Sequence, residues 1–348
     1  MQPFGAKLVK IVDKGVEAKE QRKKGRTHLG ASVLGRKCLR QIWYGWRWVH
    51  VVKHSGRLLR LFNRGHREED RLVEWLRDAG AIVRSHSQRL WYHDGSDSYV
   101  CEDWGTDTPG ADGGDPLDDV SDDPVHIARA TARGQGPKQW GFSEHHGHYG
   151  GSGDGLVHNL PDEITRGAKL DGPGLLEVKT HNEKSFIALA GKLDEYRKWV
   201  TDPDKRAFPG KGVLSAKIEH YVQMQVYMRK LGVTWALYIA VCKNTDDLYI
   251  EIVYAKPEMA DQYGDRAGHI IWAKTPPPRI TSDPSWFECR FCDFREVCHH
   301  GASPQKNCRS CVFAEPVEDG QWRCSHFNSI IPKEFMPQGC GAWESIET

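Results

Sequence analysis

The 348-residue sequence lacks any run of about eighteen apolar residues, and Met1 to Gly15 lacks the apolar centre of a secretory signal. A soluble cytoplasmic protein with no membrane partner is therefore expected. No phosphate-binding Gly-Lys-Ser/Thr loop is present, which argues against a helicase of that type. Net charge is also nearly absent, at +1, but the balance is local. Residues 1–67 hold 17 Lys and Arg against 3 Asp and Glu, so the rest of the chain is acidic by about 13 charges. A basic segment of this kind attracts polyanions by releasing their counterions, which points to DNA as a partner. From Asp94 to Asp123 the reverse holds: eleven acidic residues, no Lys or Arg, and abundant Gly and Pro predict a mobile surface loop. Its spacing does not fit a calcium-binding loop.

The ten cysteines are too few to staple a chain this long, and most fall in ligand-like spacings. Metal binding is the better reading. The length allows one large core, expected over residues 1–305, with a small module over 306–348.

What is present is organised around residues 148–182. His148-Tyr-Gly-Gly-Ser-Gly-Asp154-Gly-Leu-Val and Leu175-Leu-Glu177-Val-Lys179-Thr-His-Asn read as two strands of a hairpin joined by a turn-rich insert. Side chains alternate along a strand, so Glu177 and Lys179 share one face while Leu176 and Val178 point into the apolar one. Two carboxylates can hold a hard divalent cation, and the adjacent ammonium can orient an attacking water or offset phosphate charge. The chemistry this suggests is hydrolysis of a phosphodiester.

Around this centre, Ser32 is a plausible N-cap for a helix in which Leu34, Cys38, Ile42 and Trp46 recur on one face. A second helix is expected over 64–80, ended by Gly80, with Leu72, Trp75 and Leu76 inward. Glu69 can share that inward side while Glu68 and Asp70 turn away. A strand follows Ala81. Residues 184–200 read as one helix, and Ser215 to Gly232 as another that stacks Gln223 and Tyr227 on one face. Strands are expected over 234–243 and 247–254, then a helix from Pro257 towards Lys274.

Cys289, Cys292 and Cys298 supply three thiolates on a short stretch, one too few to close a tetrahedral or cubane site. A fourth ligand must come from elsewhere, and His299 and His300 compete with Cys298 as ligands. Cys308, Cys311, Cys324 and Cys340 make a self-sufficient set, expected to bind zinc, with iron as the alternative. Cys101 and Cys242 have no partners at such spacings and read as ordinary core or loop residues.

The ordered set resembles the RecB-type branch of the PD-(D/E)XK nucleases, which includes the lambda-type and YqaJ-type phage exonucleases. Gly65-x3-Glu69 resembles the first helical motif, Gly153-Asp154-Gly with Glu177-Val-Lys179 the core, and Gln223-x3-Tyr227 the QxxxY helix. Cys38 with Cys289, Cys292 and Cys298 is similar to the arrangement of the iron-sulfur nucleases of the AddB subunit and of CRISPR-associated spacer acquisition. The resemblance covers roughly residues 27 to 300. Two features depart from it: no Pro precedes Asp154, and 22 residues separate Asp154 from Glu177. Asp171 is thus a rival to Asp154, and His66 is a rival to Glu69 because family members use His in that role.

The resemblance implies an α/β fold with a restriction-endonuclease-like core: a mixed central sheet flanked by helices, followed by the Cys-rich module. It implies a DNA exonuclease of recombination, repair or processing, in which Glu69, Asp154, Glu177 and the Val178 carbonyl hold Mg2+ or Mn2+. Lys179 would position the water, and Gln223 and Tyr227 would contact the nucleic-acid backbone or brace the site. Cys38, Cys289, Cys292 and Cys298 would hold a [4Fe-4S] cluster. A phage single-strand annealing or recombination protein is a further implied partner. The alternative is an iron-sulfur DNA-binding or redox-sensing accessory protein with an inactive nuclease site.

Overall fold

The computed structural model describes residues 3–21, 26–105, 117–161, 165 and 170–346. The chain opens with helix α1 (Pro3–Gln21), strand β1 (Leu29–Gly30) and helix α2 (Leu39–Trp46). The helix expected from Ser32 starts later. Ala31–Val33 form a 3-10 turn, and Cys38 takes the extended position that precedes α2. The break follows from packing: the Gly35 backbone lies so close to Glu219 that a Cβ would come within 2.6 Å of the Glu219 Cα.

Helix α3 (Gly56–Asp78) runs further back than expected because the Ser55 hydroxyl caps it, accepting the Leu58 N–H at 3.4 Å. Leu72 and Leu76 are buried as expected, whereas Trp75 is half-buried. Glu68 does not turn away. Its side chain is 12% exposed against 40% for Glu69, because Arg64 and Arg71 both pair with it.

Strand β2 (Ile82–Arg84) enters the central sheet, while β3 (Gln88–His93), β4 (Ser98–Asp103) and β5 (Asp118–Asp119) form a separate small sheet. Helix α4 (Pro124–Ala132) closes it over Leu90, Tyr99 and Ala130. The acidic stretch expected as a loop at 94–123 is therefore partly strand. Cations from outside the stretch meet its charge, Arg89 with Asp119 at 3.2 Å and Arg133 with Asp97 at 2.9 Å. Its residues 106–116 lie outside the described ones.

Strands β6 (Gly141–Glu144) and β7 (Tyr149–Ser152) pair with β1, and β8 (Gly155–Asn159) joins the central sheet. The strand expected over 148–157 is thus two strands, because the Gly153 N–H turns to the Trp140 carbonyl at 2.8 Å and ends the first. Strand β9 (Gly174–His181) returns antiparallel to β8 with Leu176 opposite Gly155. Helices α5 (Glu183–Ala190) and α6 (Leu193–Thr201) replace the single helix expected there. Gly191 divides them at φ +90°, with its backbone packed on Pro209.

Helix α7 (Gly212–Ala216) leads to α8 (Ile218–Leu231), and β10 (Trp235–Cys242), β11 (Leu248–Tyr254) and α9 (Pro257–Trp272) follow close to their expected bounds. Helices α10 (Phe287–Arg290) and α11 (Arg295–His300) carry the next cysteines. A small sheet of β12 (Ala314–Pro316), β13 (Trp322–Cys324) and β14 (Ser329–Ile330) lies near the end of the chain.

The central sheet has the order β11-β10-β9-β8-β2, with β9 and β10 parallel and the other neighbours antiparallel. Every residue of β10 is buried, as a parallel strand covered on both faces requires. Leu72 and Leu76 of α3 cover one face over Val157, Leu176, Val178 and Ile239. The other face presents Leu175, Ala236 and Tyr238 to a core shared with α2, α8 and α9, which also takes in Trp322, Ile331 and Met336 from beyond residue 305. The architecture is mixed α/β, with a mixed central sheet flanked by helices.

Candidate metal-dependent active site

The alternation along β9 sends Leu176 and Val178 into the α3 core and leaves Glu177 on the face covered by α8. Glu177 is fully buried there. The Lys179 ammonium makes an ion pair with its Oε1. Lys179 also donates to the Val178 carbonyl at 2.9 Å and lies 3.9 Å from Asp154 Oδ2. Asp154 precedes the first residue of β8, and its Oδ2 accepts the Val178 N–H at 2.7 Å.

Burial pushes the Glu177 carboxyl up from 4.5 to about 7, against the pull of Lys179 and with the help of Asp154. Burial alone would lower Lys179, yet Glu177 and Asp154 hold it above its ordinary value. Glu69 on α3 is raised as well, by burial first and then by Asp154, while His66 accompanies it at 3.5 Å. Glu69, Asp154, Glu177 and Lys179 therefore share one electrostatic site, although they come from a helix and two strands. Asp171 is exposed, and its carbonyl accepts from the Thr234 hydroxyl at 3.4 Å. It lies six residues before Glu177 on the approach to β9, about 20 Å away if extended.

Helix α8 brings the Gln223 amide to 3.3 Å from Glu177 Oε2. One turn on, Tyr227 is buried, and its hydroxyl lies 2.3 Å from where a Gly151 Cβ would stand. Gly151 thus makes room for the tyrosine.

A buried polar group behind the site escaped the sequence reading. His181 Nε2 and His220 Nδ1 each lie 3.0 Å from the Tyr238 hydroxyl, with their rings stacked at 5.7 Å and 12°. Tyr238 is the β10 residue paired with Glu177. Burial lowers both histidines to about 3, with Lys217 adding to the effect on His181 and Lys179 to that on His220. The signal was available: Glu177, Lys179 and His181 stand at every second position of one strand, and His220 lies three before Gln223 on one helix.

The cysteines form two gatherings. Cys38, Cys289, Cys292 and Cys298 line one cavity together with Tyr44 and His299. Cys308, Cys311, Cys324 and Cys340 line another with Phe313 and Trp343. Burial is the main cause that raises Cys289, Cys292 and Cys308 above the ordinary thiol value. Cys101 donates instead to the Gln135 carbonyl at 3.1 Å, and Cys242 is buried in β10. Among the described residues no group of three or more His, Cys, Asp or Glu side chains converges as tightly as the ligands of one ion do. At the carboxylates the Lys179 ammonium occupies the space between Glu177 and Asp154.

Fold and site thus define a mixed α/β protein with a buried carboxylate-lysine centre. Similar solved structures include the alkaline exonuclease LHK-Exo from Laribacter hongkongensis, at 12% identity and a TM-score of 0.33, covering 70% of this chain and 86% of that one. The same enzyme in complex with dAMP gives 13%, 0.34, 70% and 86%. The protein SSO0001 gives 10% identity and a TM-score of 0.37, covering 84% of this chain and 96% of that one. Likenesses this distant carry no functional argument. No family model and no curated protein matches the chain.

Proposed function

We propose that the protein is a metal-dependent deoxyribonuclease, an exonuclease of DNA recombination, repair or processing. The observation that carries this reading is the meeting of Asp154, Glu177 and Lys179 around the buried Glu177 carboxylate, although 22 residues separate Asp154 from Glu177 in sequence, with Glu69 in the same electrostatic group. Glu69, Asp154, Glu177 and the Val178 carbonyl would hold one or two Mg2+ or Mn2+ ions. When bound, such ions lower the pKa of a water and offset charge on the scissile phosphate.

The chain's own groups have separate tasks. Lys179 keeps its proton through neutral pH, so it acts as a positive donor that orients water and phosphate and not as a base. An ion held by Glu177 and Asp154 would take over contacts that Lys179 makes with those carboxylates. Gln223 holds the second Glu177 oxygen, which limits the directions that carboxylate can take. Tyr227 braces the site through packing on Gly151 and Phe142.

The two cysteine gatherings belong to the same reading. Cys38, Cys289, Cys292 and Cys298 would hold a [4Fe-4S] cluster tying α2 to α10 and α11, and Cys308, Cys311, Cys324 and Cys340 would hold Zn2+. Tying α2 to the late cysteines closes a loop of about 250 residues, whose ordering costs chain entropy. Burial raises the Cys289, Cys292 and Cys308 thiols, so a bound metal would have to displace protons held more firmly than usual.

End-labelled linear DNA and closed circular DNA, each incubated with Mg2+ or Mn2+, test the proposal. Linear DNA should be degraded from its ends by the wild type and spared by Glu177→Ala. Equal activity of that variant would refute the site. DNA binding without cleavage by cluster-loaded wild type would favour the accessory-protein reading instead. Brown colour should vanish in Cys289→Ala and persist in Cys101→Ala.

A further inference from the structure

Two arginines are buried without an ion-pair partner among the described residues. Arg47 is 3% exposed and Arg309 is 1% exposed. Arg309 lies between Cys308 and Cys311 in sequence. Its guanidinium carbon stands 4.0 Å from the Trp46 ring centroid, 4.5 Å from Trp48 and 4.7 Å from Trp322. Its Nη1 donates to the Thr27 carbonyl at 3.2 Å, while Nε and Nη2 are buried without a hydrogen-bond partner.

Arg47, near the end of α2, stands 5.2 Å from Trp322 and donates to the carbonyls of Cys311 at 2.8 Å and Ala314 at 3.0 Å. Its Nε is also unpartnered. Among the described residues no carboxylate pairs with either arginine. Glu315 acts on Arg47 from a distance and pairs instead with Lys274 at 3.7 Å.

A guanidinium does not release its proton in a protein, so both side chains stay charged. The indole faces recover part of the lost hydration, and the carbonyls a further part. Two like charges in one buried region still require a counter-charge. Among the described residues, the thiols that line the adjacent cavity are placed to supply it once a metal has displaced their protons: Arg47 holds the Cys311 carbonyl, and Arg309 stands in the chain between Cys308 and Cys311. Four thiolates around one divalent ion carry a net charge of minus two, equal and opposite to the two arginines.

We propose that the four-thiolate centre of Cys308, Cys311, Cys324 and Cys340 is the counter-ion of Arg47 and Arg309. Metal loading and burial of the two cations are then one coupled event, which fastens the Cys308–Cys311 turn to α2 and to the segment at Thr27. This rests on the reading that those cysteines hold zinc and is independent of whether the carboxylate site cleaves DNA.

The test is a cycle on the full-length protein: zinc retention against a chelator, and thermal unfolding with zinc and after chelation, for wild type, Arg309→Met and Arg47→Met. Each neutral variant should lose zinc at least about tenfold more readily than wild type. In the chelated protein the same variants should unfold at the wild-type temperature or above it, since removing an unanswered charge relieves the apo state. Equal lowering of the unfolding temperature in both states, with zinc retention unchanged, would reduce the arginines to packing and overturn the proposal. Should Arg309→Met fail to fold, Arg309→Lys, which keeps the charge, must retain zinc like wild type while Arg47→Met does not. Wild-type protein prepared with zinc that holds none removable by Cys340→Ser would overturn the zinc reading itself, before any arginine is changed.

Discussion

The Asp154 carboxylate accepts the backbone N–H of Val178 at 2.7 Å. In a continued β8–β9 ladder a backbone carbonyl would fill that place, but β8 begins only at Gly155. The side chain substitutes for the missing strand, so β9, which carries Glu177 and Lys179, also orients the third charged group. Asp154→Asn keeps the acceptor and removes the charge: fold stability should change little while cleavage falls by at least about a hundredfold. Asp154→Ala removes both and leaves a strand N–H without its partner, at a cost of about 1–2 kcal/mol in denaturant unfolding. Equal stability of the two variants would show that the bond to Val178 does not matter.

Glu177 sets a pH limb. With its carboxyl pushed up to about 7, it is protonated in part at neutral pH, and proton and metal compete for it. At limiting Mg2+ the cleavage rate should therefore rise with pH up to about 7 and level off above. More Mg2+ should move the midpoint to lower pH. In the metal-free protein the raised value favours the folded state below the ordinary pKa of 4.5, and that advantage is lost as pH rises through about 7. Glu177→Gln should remove this slope from the stability profile; an unchanged profile would contradict the burial argument.

His181 and His220 act in the opposite direction. Both titrate near 6.5 when unfolded and near 3 in the folded protein, so above 6.5 they contribute nothing to the pH dependence. As pH falls below 6.5 the unfolded chain takes up protons that the folded one refuses, and stability is lost progressively towards pH 3. The loss should be on the order of 1 kcal/mol per pH unit for each histidine. The double variant His181→Gln with His220→Gln should flatten the unfolding free energy between pH 6 and 4. A slope equal to that of wild type would mean that the imidazoles are hydrated.

The contact between Gly151 and Tyr227 predicts a double-mutant signature. A Cβ at residue 151 would meet the Tyr227 hydroxyl at 2.3 Å. Gly151→Ala should cost about 1–3 kcal/mol through overpacking and weaken cleavage by shifting α8, which also carries Gln223. Adding Tyr227→Phe removes the colliding oxygen and should recover part of that loss. Strict additivity of the two changes would place the cost elsewhere.

Local features of the chain were legible because backbone geometry sets their period. Glu177 and Lys179 share a face by strand alternation, Gln223 and Tyr227 by helical spacing, and the β-rich run at 234–243 reads as a strand. The failures share one cause as well. Gly35 interrupts a helix because of Glu219, almost two hundred residues away, and the acidic stretch becomes strand because Arg89 and Arg133 answer its charge.

What sequence alone determined is the inventory: a strand with two charged groups on one face, a helix with Gln and Tyr one turn apart, and two sets of cysteines at ligand spacing. Tertiary structure decided which of these meet. Register along β8 and β9 brings Asp154, and not Asp171, to the Val178 N–H. The crossing of α8 over β9 and β10 creates the His181–Tyr238–His220 group, and the closing of the chain end onto α2 buries Arg47 and Arg309. Periodicity is a property of neighbouring residues, whereas burial and counter-charge depend on segments that only folding brings together.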